Sequence, residues 1–89
     1  MAKRIFIVDD SASLRQVVSL ALTRAGYEVV EACDGQDALE KLSGKVHLII
    51  SDVNMPVMDG LTFLRQLKLN PRYRFTPVMM LPTEAGEDK

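Results

Sequence analysis

Two short apolar runs that end in aspartate constrain this chain more than any other feature. Ile5-Phe6-Ile7-Val8 runs into Asp9-Asp10, and Leu48-Ile49-Ile50-Ser51 runs into Asp52-Val53-Asn54-Met55-Pro56. An apolar run of this length, closed by a turn, reads as a strand buried on both faces, the kind that parallel sheets contain. Each run carries its acids to the carboxyl end of a strand, where the backbone leaves the sheet. Two such strands side by side place three carboxylates around one crevice. Open α/β sheets bind ligands in that crevice.

The remaining segments alternate. Lys3 to Asp9 is expected as strand one. Asp10, Ser11 or Ser13 is placed to cap a helix in which Leu14, Val17, Val18, Ala21, Leu22 and Ala25 recur at helical spacing. Gly26 stops that helix. Tyr27 to Glu31 alternates and is β-branched, as a shorter and more exposed strand two would be. Asp34-Gly35 marks a turn, and Ala38, Leu39 and Leu42 give a short second helix that ends at Ser43-Gly44. Val46 to Asp52 is strand three. Asp59 is placed to cap a third helix whose face holds Leu61, Leu64 and Leu67, and Asn70-Pro71 closes it. Thr76 to Leu81 is strand four. The pattern β-α-β-α-β-α-β predicts a parallel sheet with right-handed crossovers. With the most apolar strands inside and amphipathic strand two at the edge, the order is 2-1-3-4.

Composition narrows the function classes. Eighty-nine residues allow one domain, with 11 Lys and Arg against 12 Asp and Glu and a net charge of −1. The charges are mixed along the chain, so no basic stripe points to nucleic acid. Cys33 is the sole cysteine, which excludes an internal disulfide and, with no secretory apolar segment, fits a reducing cytoplasm. No apolar stretch approaches the roughly 20 residues that span a bilayer. Glycine-rich dinucleotide and nucleotide loops and a nucleophile-elbow serine are all missing.

The acids remain. Three carboxylates in one crevice repel, and one takes a proton unless a cation neutralises them. Mg²⁺ suits the site, since it prefers oxygen ligands, takes one or two carboxylates and keeps positions for water and phosphate; Mn²⁺ is the alternative. Singly, each acid is as well explained by a cap or a turn. As a set, Asp9, Asp10 and Asp52 favour a metal site, to which the backbone carbonyl of Asn54 could add a neutral ligand. Asp52 beside such an ion could attack a phosphoryl group and carry it as an acyl phosphate. Elsewhere the plain readings prevail. His47 is a surface or satisfied histidine at the opposite end of strand three, Cys33 a small packed residue, and Met79 and Met80 core. Tyr73 with Arg72 and Arg74 forms a solvated basic patch.

Val8-Asp9-Asp10-Ser11, the run from Ser51 to Gly60 (SDVNMPVMDG) and Pro77-Val78-Met79-Met80-Leu81 closely resemble bacterial response-regulator receiver domains, the single-domain chemotaxis (CheY-like) type most of all. The resemblance covers essentially all 89 residues. It implies a flavodoxin-like sheet; CheY itself is a known case of this strand order, so the order above is not independent of the resemblance. It implies that Asp52 accepts phosphate from a sensor histidine kinase. It implies that Asp9 and Asp10 hold Mg²⁺, directly or through water, with the Asn54 carbonyl, and that Pro56 and Gly60 shape the loop.

Two departures stand out. The family has Ser or Thr at the end of strand four, where this chain has Pro82; Thr83 is adjacent, but a one-residue offset points its side chain the other way. The family also continues with a further α-β-α portion that includes a lysine-bearing strand, so residues 1–89 read as a truncated receiver. Strand four would then be a bare edge, and the chain is expected to form homo-oligomers by edge pairing or element exchange. The expected function is a cytoplasmic phosphoacceptor that modifies itself and is not an enzyme, with neither nucleic acid nor membrane as partner. The alternative is a switch-impaired, oligomerising or domain-swapped fragment. An aspartate-nucleophile phosphatase is disfavoured, because that chemistry wants an acid where Asn54 stands.

Overall fold

In the computed structural model, which describes residues 2–81, the elements run β1 (Arg4–Val8), α1 (Ala12–Arg24), β2 (Glu28–Ala32), α2 (Gly35–Lys41), β3 (Leu48–Asp52), α3 (Gly60–Leu69) and β4 (Val78–Leu81). Pro82 and Thr83 lie outside the described residues. All strand pairs are parallel, and the order is β2-β1-β3-β4. Strands one, three and four begin one or two residues later than their apolar patterning suggests, because ladder pairing rather than apolarity sets where a strand begins. Strand two is shifted one residue onward, to Glu28–Ala32.

Each helix starts on a side chain that accepts from a backbone N–H its own helix cannot satisfy. Ser11, one of the three candidates for α1, accepts from Leu14 N at 3.3 Å. Asp34 caps α2 through Asp37 N at 2.8 Å, and Asp59 caps α3 through Thr62 N at 2.8 Å. Gly26 follows α1 with φ of +97°, the left-handed conformation that glycine adopts freely.

Right-handed crossovers place α1 on one face of the sheet and α2 with α3 on the other. The α2/α3 face holds the main core, built from Phe6, Val8 and Ile49 of the sheet, Ala38, Phe63 and Leu67 of the helices, and Tyr73. Helix α3 therefore buries Phe63 and Leu67, while Leu61 is 56% exposed; the leucine spacing marked the wrong face by about one position. The α1 face is thinner. Helix α1 packs on β1 and β2 and buries no residue completely, and Val17 and Leu20 are largely exposed. Beyond it, β3 and β4 present Ile50 and Met79, which are register partners, and Leu81. Met79 is half exposed rather than core, and Cys33 is exposed rather than packed. Tyr73 is buried, unlike its neighbours Arg72 and Arg74.

Candidate functional site

Register builds the site. Val8 of β1 pairs with Ser51 of β3, so the next residues, Asp9 and Asp52, emerge side by side where both strands stop. Asp10 follows at the start of the turn into α1. Carboxylate oxygens of Asp9, Asp10 and Asp52 lie within 4.8 Å of one another, with Asp9 and Asp52 buried and Asp10 exposed. This is the switch point of the sheet, since the chain leaves β1 for β2 on one side and reaches β3 on the other.

Backbone amides fix two of the three acids. Ser11 N donates to Asp9 Oδ1 at 2.8 Å, and Asn54 N donates to Asp52 Oδ1 at 3.2 Å. Burial pushes the Asp9 carboxyl above the usual aspartate range, and the negative charges of Asp52 and Asp10 push it further; the Ser11 amide pulls the other way. A buried acid beside two others is relieved either by taking up a proton or by a cation. The donor set is all hard oxygen, partly exposed, and fits Mg²⁺ or Mn²⁺ with room for water and a phosphate oxygen.

The loop after β3 is tight. Met58 N donates to Pro56 O at 2.6 Å, and Val57 between them sits at φ +68°, a conformation strained for a β-branched residue. Gly60 N then donates to Val53 O at 2.9 Å, which brings the start of α3 back against the strand end. A Cβ on Gly60 would run into the Asp52 carbonyl oxygen and the Val53 Cα. Glycine is required there by close approach, and the approach fixes where Asp52 stands.

One residue escaped the sequence reading. Arg15, in the first turns of α1, donates to the Asp9 carbonyl and pairs with Glu31 of β2 at 3.3 Å. It ties the acid-bearing turn to the neighbouring strand. Its only sequence signal is a cation five residues after an acid pair, which is too common to mark it. His47 lies at the far end of β3 from the acids, as expected, and its Nδ1 accepts from Arg4 N at 3.0 Å. The larger clefts also lie at that far end. Near the acids lies an apolar cleft of about 40 Å³ between Leu14, Val18, Ile50 and Leu81. Charge, rather than cavity size, marks this site.

A parallel α/β sheet in this order, with a carboxylate cluster at its switch point, defines a doubly wound domain whose site lies at the carboxyl ends of β1 and β3. The sequence matches the family model described as the response regulator receiver domain over residues 5–89. The chain belongs to the response regulator receiver domain family. Chemotaxis protein CheY1 of Helicobacter pylori is 37% identical, and the match spans 94% of this chain and 70% of that protein. The solved chemotaxis response regulator CheY4 of Vibrio cholerae is 47% identical with a TM-score of 0.89, covering 97% of this chain and 72% of that one. A protein-glutamate methylesterase/protein-glutamine glutaminase of Archaeoglobus fulgidus is 50% identical over a match that spans 24% of its length. Among the described residues, no helix is long and apolar enough to cross a membrane.

Proposed function

We propose that the chain is a cytoplasmic, chemotaxis-type receiver in which Asp52 accepts a phosphoryl group from the phosphohistidine of a sensor kinase, in a reaction that depends on Mg²⁺. The observation that carries this is the meeting of three carboxylates within 4.8 Å at the ends of β1 and β3. Asp9 and Asp10 would hold the ion, directly or through water, together with Asp52 and the Asn54 carbonyl. When bound, the ion supplies positive charge against the carboxylates and the oxygens of the transferring group. The Asn54 amide restrains rotation of the Asp52 carboxylate. A carboxylate oxygen of Asp52 forms the new O–P bond as the P–N bond of the donor breaks, and the imidazole leaves with the electron pair. The product is an acyl phosphate on the chain itself, so the protein is modified and turns over no separate substrate.

Acetyl phosphate tests this with and without Mg²⁺, read by intact mass. A gain of about 80 Da, one phosphoryl group, that requires Mg²⁺ and disappears in Asp52→Asn is the expected result. No gain in either condition overturns the reading.

A second reading draws on a separate observation. Among the described residues β4 has a strand neighbour on one side only, and it exposes Met79 and Leu81. An apolar edge of this kind pairs readily with another strand. We infer that copies of the chain associate through β4 or exchange elements there, whether or not Asp52 is phosphorylated. Light scattering that finds a monomer across the micromolar range would remove this reading and leave the first intact.

A further inference from the structure

The end of the sheet opposite the acids has its own character. Two open lobes of about 460 Å³ each lie along the amino ends of β1, β3 and β4, and they share Gly44, Lys45 and His47. Together they form one groove of the size that binding sites occupy. Lys3 and Arg4 line one lobe and Arg72 the other, with Lys45 between. Among the described residues the only acid along it is Glu28, already paired with Arg4 at 3.0 Å. Lys3, Lys45 and Arg72 hold no ion pair among the described residues. A chain of net charge −1 has thus gathered cations at one end of its sheet and acids at the other.

Three further features suit a ligand. Because His47 Nδ1 accepts from the Arg4 amide, the neutral ring carries its hydrogen on Nε2, and His47 lines both lobes. Phe75 is 87% exposed at the wall of the groove, the most exposed large apolar side chain among the described residues. The walls are also pinned. Tyr73 OH donates to Gly44 O at 3.0 Å, and Lys68 Nζ donates to Thr76 O at 2.6 Å. A groove held this way spends little ordering entropy on binding.

We propose that this groove docks an acidic, extended segment of a partner protein, with a bulky apolar side chain of that segment seated against Phe75. Charge complementarity selects the acidic chain, and cations lining a cleft of one sign also speed its arrival. A single exposed ring, with Val46 and Pro77 lining the same lobe, offers an apolar contact point for one side chain. It does not make the succession of stacking platforms that a single-stranded nucleic acid uses. The site is independent of Asp52 and its ligands, so it would operate in either phosphorylation state.

The test is fluorescence anisotropy with a labelled peptide rich in Asp and Glu that carries one central Phe. A Lys-rich peptide of the same length and a single-stranded oligonucleotide serve as comparisons. The acidic peptide should bind saturably and more weakly as salt rises. Lys45→Glu combined with Arg72→Glu should weaken it at least about tenfold, and Phe75→Ser about fivefold. All three positions are exposed, and circular dichroism should show an unchanged fold; Lys45→Gln, with the same readout, gives a milder second variant. The proposal fails if the acidic peptide shows no saturable binding at millimolar concentration. It fails equally if the variants bind as well as the parent, or if the oligonucleotide binds more tightly than the peptide.

Discussion

Asp9 is the residue at which stability and function pull apart. Burial, then the charges of Asp52 and Asp10, raise its folded pKa above the ordinary value of 3.8. A raised carboxyl favours folding only while protonated. Its contribution is complete below the unfolded value and is lost as pH rises through the folded one. At neutral pH the ionised cluster therefore strains the metal-free fold. Asp9→Asn keeps an oxygen for the Ser11 amide and removes the charge. It should raise the metal-free melting temperature at pH 7 by about 4–8 °C, what ~1 kcal/mol is worth in a small domain. The gain should vanish as pH is lowered toward 3.8, and Mg²⁺ should stabilise the parent more than the variant. Thermal melts with and without Mg²⁺ at both pH values check each part. Val57 carries a different strain, since its φ of +68° crowds a β-branched side chain that is largely exposed. Val57→Asn should stabilise by about 1 kcal/mol, seen as a higher urea midpoint with an unchanged slope.

At the scale of elements, α3 sets the position of Asp52. Gly60 lets its first turn press on the backbone of Asp52 and Val53. Gly60→Ala meets backbone atoms that cannot rotate aside, so β3 or α3 must shift. We expect a loss of about 2 kcal/mol in stability and a drop of at least about tenfold in the rate of labelling by acetyl phosphate. A normal rate would show that Asp52 tolerates the shift. Farther along α3, Phe63→Ala should cost about 3–5 kcal/mol and leave a domain of this size mostly unfolded in the absence of ligand. The elements were legible in the sequence because each has a local cause: apolar runs for strands, Ser11 and Asp59 as caps, Gly26 and Pro71 as stops. The acids were legible because strand ends follow from strand identity. What escaped was decided between elements. Phe63 displaced Leu61 from the core because the face of α3 is chosen by its contact with α2, which leucine spacing cannot report. Arg15 gains its role only when α1 lies against β2. Met79 reads as core by composition, yet sits at an edge whose outer side no described element covers.

For the whole molecule, the decisive asymmetry is between the two faces of the sheet. Among the described residues the α2/α3 face buries a continuous core, whereas α1 packs mainly on β1 and β2 and apolar β4 residues stay exposed. Each square ångström of that surface withdrawn from water contributes about 25 cal/mol, so association through it would stabilise the fold. Binding that occurs only in the folded state raises its stability with concentration. If β4 is the contact, the melting temperature should climb as protein rises from micromolar to millimolar, and sedimentation should show larger species over the same range. Met79→Lys places a charge on the exposed β4 face, the means by which natural edges resist pairing. It should abolish both the concentration dependence and the larger species. Because Met79 is already half exposed, the variant should melt close to the parent at low concentration, where both are monomeric. A parent whose melting temperature does not depend on concentration would show that the open face is tolerated as bare surface. A variant that still associates would move the contact from β4 to α1, where Val17 and Leu20 are the most exposed large apolar side chains.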